Sequence, residues 1–110
     1  MELFYTHDRS KWREYLSEHF ETATEIWFVF PVNGSQEQSL SYNDAVEEAL
    51  CFGWIDSTLK RLGDGRLAQR LSPRQKRSHW TELNKERCAD LERRGLMTDS
   101  GREALQRASI

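Results

Sequence analysis

The phrase Gly53-Trp54-Ile55-Asp56 places an acidic side chain beside a large aromatic one on a predicted strand. Side chains two positions apart in a strand point to the same side, so Trp54 and Asp56 should share a face. A carboxylate beside an indole in a half-dry pocket can act as a general acid or base, because burial raises its pKa. The alternative is structural: Asp56 accepts hydrogen bonds from Arg74, its natural partner, or from turn N–H groups. Both interpretations stay open.

A second group of polar residues follows the predicted hairpin and surrounds the start of the third predicted helix: Arg74, Ser78, Trp80 and Asn84. Ser78 is the predicted N-cap, and Asn84 lies four residues after Trp80 on the same helical stripe. We predict that Asn84 hydrogen-bonds the segment 52–56 and that Arg74 lies within ion-pair range of an acidic residue. Together with the Asp56 carboxylate these residues could line one pocket, which is the ground for an enzyme as a further hypothesis.

The stretch 60–77 is strongly basic, with seven cationic side chains and Asp64 as the single acidic one. Its basic residues are Lys60, Arg61, Arg66, Arg70, Arg74, Lys76 and Arg77. Arg66 and Arg70 should share one face of a strand, and Ser78 with the first N–H groups of a helix would favour an anion. Trp80 could add a stacking surface, so this stretch could bind nucleic acid or a small anion. Alternatively, its arginines pair with the acidic half of the chain, residues 8–48, which has nine acidic and three basic side chains.

The thiols and imidazoles carry weaker signals. Cys51 and Cys88 lie on apolar helix faces and form no Cys-x-x-Cys phrase, which predicts buried, inert thiols rather than a redox pair or a nucleophile assisted by His79. The spacing of these two cysteines with His7, His19 and His79 matches no standard pattern of zinc ligands, so we expect no metal site. No phosphate-binding loop or nucleophile elbow is present, and we expect no cofactor.

Periodicity predicts one α+β domain over residues 1–110, in the order α-β-α-β-β-α-α. A small antiparallel or mixed three-stranded sheet should pack against about four helices. The predicted elements are a helix capped by Asp8 or Ser10 with apolar residues from Trp12 to Phe20, a strand at 25–30, a helix capped by Ser41, hairpin strands at 54–59 and 67–71, a helix capped by Ser78 and a short helix from Asp99 or Ser100. The inner face of the third helix should carry Trp80, Leu83, Arg87, Cys88 and Leu91, with Gly95 just beyond its end.

Four phrases in this order and spacing resemble the YdeI/OmpD-associated family, also called bacteriocin-protection proteins. They are Ser41–Leu50, Cys51-Phe52-Gly53-Trp54-Ile55-Asp56, Ser72-Pro73-Arg74 with Ser78-His79-Trp80 and Asn84, and Gly95-Leu96-Met97-Thr98 with Gly101. The resemblance implies an α+β fold and a bacterial role in tolerance of bacteriocins or antimicrobial peptides, a form of stress protection. Ser57 departs from the glycine of many members, and the chain stops at Ile110, before the extension that larger members carry. The resemblance supplies no catalytic residues.

The composition of the chain argues against several classes of function. The 110 residues carry a net charge of -2, which gives no general attraction to nucleic acid or membrane. The N-terminus lacks the features of a signal peptide, no apolar run approaches the roughly 20 residues of a membrane span, and two cysteines suit a reducing compartment. We therefore expect a cytoplasmic, non-catalytic recognition protein whose partner is a small anionic ligand or another protein. A nucleic-acid-binding module that uses the hairpin 60–77 is the alternative.

Overall fold

The computed structural model describes residues 1–32, 34–74 and 80–108. The elements follow one another as β1 (Leu3–Phe4), α1 (Arg9–His19), β2 (Ile26–Phe30), α2 (Tyr42–Cys51), β3 (Trp54–Arg61), β4 (Leu67–Pro73), α3 (Glu82–Arg93) and α4 (Asp99–Ala108). The protein is therefore an α+β domain with four helices, as predicted. Both hairpin strands extend two residues beyond the predicted ends, at Arg61 and Pro73.

The sheet is mixed and has four strands in the order β1-β2-β4-β3, so the prediction of three strands is wrong. The strands β2 and β3 both run antiparallel to β4, whereas β1 runs parallel to β2. The additional strand has only two residues, Leu3 and Phe4, which pair with Trp27 and Phe28. Such a short segment has no periodicity of its own, and its conformation depends on pairing with β2.

The helix α2 occupies the centre of the molecule, and every residue from Ala45 to Cys51 is buried. Its small residues Ala45 and Ala49 allow neighbouring elements to approach closely, as their types predict. Helices α1, α3 and α4 and strand β3 all contact it. The core also contains Trp12, Phe28 and Trp54, none of which is more than 1% exposed.

Local capping signals set several helix ends. Ser41 caps α2 by accepting a hydrogen bond from the Asp44 N–H at 3.1 Å, as predicted. Gly95 adopts φ +73° after α3, and the Leu96 N–H donates to the Leu91 carbonyl at 3.0 Å. This is the Schellman arrangement that a glycine beyond a helix end permits.

The start of α3 differs from the prediction. Thr81, not Ser78, is the N-cap, and its hydroxyl accepts a hydrogen bond from the Asn84 N–H at 3.1 Å. Ser78 lies outside the described residues. With the helix starting later, Trp80 precedes it and Leu83 is 56% exposed, which contradicts its predicted place on the inner face. The buried residues of α3 are instead Asn84, Cys88 and Leu91.

The N-terminal end of α4 closes the corner between α2 and β3. Thr98 donates its N–H to the Cys51 carbonyl at 3.2 Å, and its hydroxyl donates to the same oxygen. The Ser100 hydroxyl donates to the Phe52 carbonyl at 3.1 Å. Two carbonyl groups at the end of α2 are therefore satisfied by residues much later in the chain. Among the described residues no helix combines the length and the apolar composition needed to cross a bilayer.

Candidate functional site

A pocket of about 350 Å³ opens between the start of β3 and the first turns of α3. Its walls are formed by Tyr42, Ile55, Asp56, Arg74, Thr81, Leu83, Asn84 and Arg87. Three of the residues predicted to converge, Asp56, Arg74 and Asn84, therefore do line one pocket.

The end of β4 holds Arg74 at this pocket. Pro73 is the last residue of β4, and the Arg74 N–H donates to the Gly53 carbonyl at 2.9 Å. Gly53 has φ +80°, a conformation that side chains with a Cβ rarely adopt, and it forms the turn into β3. This hydrogen bond holds Arg74 close to the entry of the hairpin.

The guanidinium of Arg74 stacks on the indole of Trp80, with 3.7 Å between its Cζ atom and the ring centroid. Both residues are buried. Burial lowers the pKa of Arg74, and electrostatic interaction with Cys88 and Asp56 opposes that shift. Trp80 was predicted to offer a stacking surface to a ligand; it stacks on an arginine of the protein itself, which fixes the plane of that guanidinium.

Asp56 accepts a hydrogen bond from the Tyr42 hydroxyl. This phenol was not predicted as a partner, although Tyr42 is the first residue of α2 and α2 packs against β3. Burial raises the pKa of Tyr42 to about 12, and the hydrogen bond and charge of Asp56 add to the shift. Tyr42 therefore remains a protonated hydrogen-bond donor at neutral pH.

Trp54 does not line the pocket. Its side chain is 1% exposed and belongs to the core, where Nε1 donates to the Phe20 carbonyl at 3.3 Å. The indole that was expected to flank Asp56 in a binding site therefore has a structural role. This removes the neighbour on which the acid–base interpretation of Asp56 was based.

The prediction for Asn84 is partly wrong. Its side chain is buried and lines the pocket, but within the described ranges it forms no hydrogen bond to the segment 52–56. Instead its Oδ1 accepts from Arg87 Nη1 at 2.9 Å, within the same helix. No described residue accepts from its Nδ2 group, which leaves a donor in a side chain that is only 8% exposed.

Arg87 is the functional candidate that the sequence did not single out as a binding residue. Its Nε donates to Asn43 Oδ1 at 3.1 Å, and its Nη1 donates to Asn84 Oδ1. Both partners are neutral, and no carboxylate in the described part of the chain forms an ion pair with Arg87. Other arginines differ: Arg94 and Arg102, for example, each pair with two acidic side chains. Arg87 is thus held in position by two neutral amide oxygens.

Two arginines of the predicted basic surface pair with acidic side chains. Arg66 forms an ion pair with Asp64 at 2.6 Å, inside its own turn. Arg70 pairs with Glu25 at 2.9 Å and lies on the sheet face opposite that of the core residue Leu71, its neighbour in β4. Neither arginine lines the pocket. The alternative that the hairpin pairs with the acidic half of the chain holds for Arg70, whereas Lys76 and Arg77 lie outside the described residues.

The two buried glutamates of the acidic first half pair outside the hairpin. Glu48, 1% exposed, accepts from Arg9 and, at 2.8 Å, from Arg13. Glu47 pairs with Arg9 at 3.1 Å and with Arg94 at 3.2 Å. Burial acts to raise the pKa of Glu47, but hydrogen bonds from its arginine and asparagine partners outweigh it and lower that pKa. This network joins α1, α2 and the end of α3, and its charges are mutually compensated.

Cys51 and Cys88 are free thiols and both are buried, as predicted. Burial raises the pKa of each thiol to about 11. His79 lies outside the described residues. No group of three or more His, Cys, Asp or Glu side chains that could hold a metal ion lies within the described ranges.

Comparison with known families gives one match. A family model described as Domain of unknown function (DUF8412) matches residues 4–104. The chain belongs to this family. No curated protein and no solved structure matches it. The pocket residues all lie within the matched range, and the resemblance to the YdeI/OmpD-associated family stays a prediction from the phrases quoted above.

Proposed function

We propose that the domain recognises a small anionic ligand in the pocket between β3 and α3. The observation that carries the proposal is the state of Arg87: two neutral amide oxygens hold it in the pocket wall, and no described carboxylate pairs with it. A guanidinium fixed in this way keeps its remaining N–H groups and its full charge for a carboxylate or a phosphate.

Other groups in the pocket support an anion. Arg74 adds a second cation whose orientation is set by stacking on Trp80. Asn84 contributes an N–H donor without a partner among the described residues. The N-terminus of α3, capped by Thr81, faces the same space and adds a partial positive charge.

Recognition suits these residues better than catalysis. The Thr81 hydroxyl is occupied as the helix cap, and the raised pKa of Tyr42 keeps it a neutral phenol. Among the described pocket residues there is accordingly no activated nucleophile. The volume of about 350 Å³ lies at the small end of the range for ligand pockets, which favours a small molecule.

Binding of simple anions tests the proposal. Phosphate, acetate and benzoate are titrated into the protein at low ionic strength, with chloride at equal ionic strength as the reference, and binding is read by calorimetry and by thermal stabilisation. At least one of these probes should bind to the wild type. Arg87→Gln should weaken that binding about 10- to 100-fold, the usual effect of losing a charge-assisted hydrogen bond.

The matched control is Arg102→Gln, which removes an equal charge from α4. Arg102 is exposed and pairs with Glu92 and Asp99, so its loss should leave anion binding unchanged. The proposal fails if no probe binds more tightly than chloride, or if the two variants weaken binding equally.

Nucleic-acid binding through the hairpin 60–77 is the second candidate, favoured by the exposure of Lys60 and Arg61. The pairing of Arg66 and Arg70 with acidic residues weakens it. Phosphate-driven binding must decrease steeply with added salt, so a shift assay with random duplex and single strands tests it. No shift at low salt would eliminate this candidate.

The cellular setting is also part of the proposal. The resemblance to the YdeI/OmpD-associated family suggests tolerance of bacteriocins or antimicrobial peptides, and two free cysteines suit the reducing cytoplasm. Survival of cells with and without the protein, exposed to such peptides, tests this setting. Equal survival would contradict it.

A further inference from the structure

The pocket carries both signs of charge on different elements. Asp56 belongs to β3, whereas Arg87 belongs to α3. Although both line the pocket, they form no ion pair with each other, so their nitrogen and oxygen atoms are more than 4.0 Å apart. A ligand with one positive and one negative group can therefore contact Asp56 and Arg87 at the same time.

The acidic wall retains hydrogen-bonding capacity. One oxygen of Asp56 accepts from the Tyr42 hydroxyl. A carboxylate has about four lone-pair sites, so this bond leaves room for a further donor. Tyr42 also fixes the direction of the carboxylate, much as Asn43 and Asn84 fix Arg87.

Two residues of the pocket wall are apolar, Ile55 and Leu83. Ile55 packs against the core beside the acidic wall, and Leu83 is 56% exposed at the α3 side. Apolar surface near two opposite charges suits a short hydrocarbon group attached to a charged head.

We propose that the ligand is a zwitterion of the α-amino acid class, with its carboxylate on Arg87 and its ammonium group on Asp56. This inference rests on the proposed anion recognition and adds a requirement for a positive group on the same molecule. The pocket volume of about 350 Å³ is sufficient for one such molecule.

Matched ligands test the two charges separately on the unmodified protein. Leucine, phenylalanine and glutamate are each compared as the free amino acid, the N-acetylated acid and the α-amide, with binding measured by calorimetry. For the parent that binds most tightly, N-acetylation should weaken binding about 10-fold or more, and amidation about 10- to 100-fold, because each removes one charge-assisted contact.

Variants then assign each loss to a residue. In Asp56→Asn the free and N-acetylated acids should bind equally, whereas in Arg87→Gln the free acid should bind no better than the amide. Arg102→Gln, which removes a charge outside the pocket, should retain the preference for the free acid. Melting temperatures show whether each variant is folded. If Asp56→Asn does not fold, the ligand series on the wild type still tests whether both charges of the ligand are needed.

The outcomes separate the two proposals. If the N-acetylated acids bind as tightly as the free ones and Arg87→Gln weakens both, anion recognition stands and the zwitterion is wrong. If no amino acid binds while a simple anion does, the zwitterion is again wrong. If neither amino acids nor simple anions bind, the proposed function itself fails.

Discussion

The carboxylate of Glu48 joins α1 to α2 from inside the protein, and Glu48→Gln should destabilise the fold strongly. The side chain is 2% exposed and accepts hydrogen bonds from Arg9 and Arg13. Glutamine keeps the shape but removes the charge, which leaves two guanidinium groups beside a neutral amide. Breaking a buried ion pair in this way costs about 3–5 kcal/mol.

The magnitude must be reduced because the arginines are only partly buried. Their side chains are 26% and 34% exposed, and Arg9 keeps its pairs with Asp44 and Glu47. We therefore expect a loss of about 2–3 kcal/mol. For a domain of this length the unfolding entropy is about 0.23 kcal/mol/K, so the melting temperature should fall by about 10 °C.

Thermal unfolding followed by circular dichroism measures this change, and Glu92→Gln is the matched control. Glu92 accepts two hydrogen bonds from Arg102, at 2.6 and 2.7 Å, but its side chain is 47% exposed. Solvent screens that pair, so the control should melt almost as the wild type does. Equal shifts in the two variants would refute the role given to burial. Combining Glu48→Gln with Arg13→Met should cost less than the sum of the single changes, because the double variant also removes the guanidinium that Glu48→Gln leaves without a carboxylate partner.

Two further predictions concern the packing around α2. Gly101→Ala should destabilise the protein by about 2 kcal/mol, because the new Cβ would lie 2.5 Å from the Cys51 carbonyl oxygen and would overlap Met97. Thermal melts measure the change. The control is Gly63→Ala, because a Cβ at position 63 meets open space. With the pKa of each thiol raised to about 11, Cys51 and Cys88 should react with a maleimide at pH 8 more than about 100-fold more slowly in the native protein than in denaturant, and equal rates would contradict their burial.

Short-range signals in the sequence predicted most of the fold. The hydroxyl of Ser41 and the glycine at position 95 act on backbone within a few residues of themselves, so the helix ends that they determine were found. The strand Leu3–Phe4 was missed because only its partner strand stabilises it. Thr81 was missed as a cap because Ser78 is at least as good a cap by residue type.

Long-range pairing could not be predicted from charge counts. The excess of acid in residues 8–48 and of base in residues 60–77 suggested that these two stretches pair. The structure pairs Glu48 with Arg13 instead, 35 residues away, whereas Arg70 pairs with Glu25 as the simple expectation requires. The net charge of a segment does not say which side chains are neighbours. The packing of α1 on α2 decides which guanidinium reaches which carboxylate.

The candidate site was also predicted only in part, because some of its contacts depend on the three-dimensional fold. Asp56, Arg74 and Asn84 were expected to converge because short connections restrict their positions, and they do line one pocket. Arg87 was assigned only to the inner face of α3, although its position three residues after Asn84 is a usable signal for an intrahelical hydrogen bond. Its second anchor, Asn43, is 44 residues away and could not be found without the fold.

The corner between α2 and β3 has a consequence for the order of events during synthesis. The carbonyl groups of Cys51 and Phe52 are satisfied by Thr98 and Ser100, which are 47 and 48 residues further along the chain. A ribosome adds roughly 5–20 residues per second, so these groups wait several seconds for their partners. During that interval the nascent chain exposes the end of its most apolar helix, which is when a chaperone would bind and when aggregation would begin.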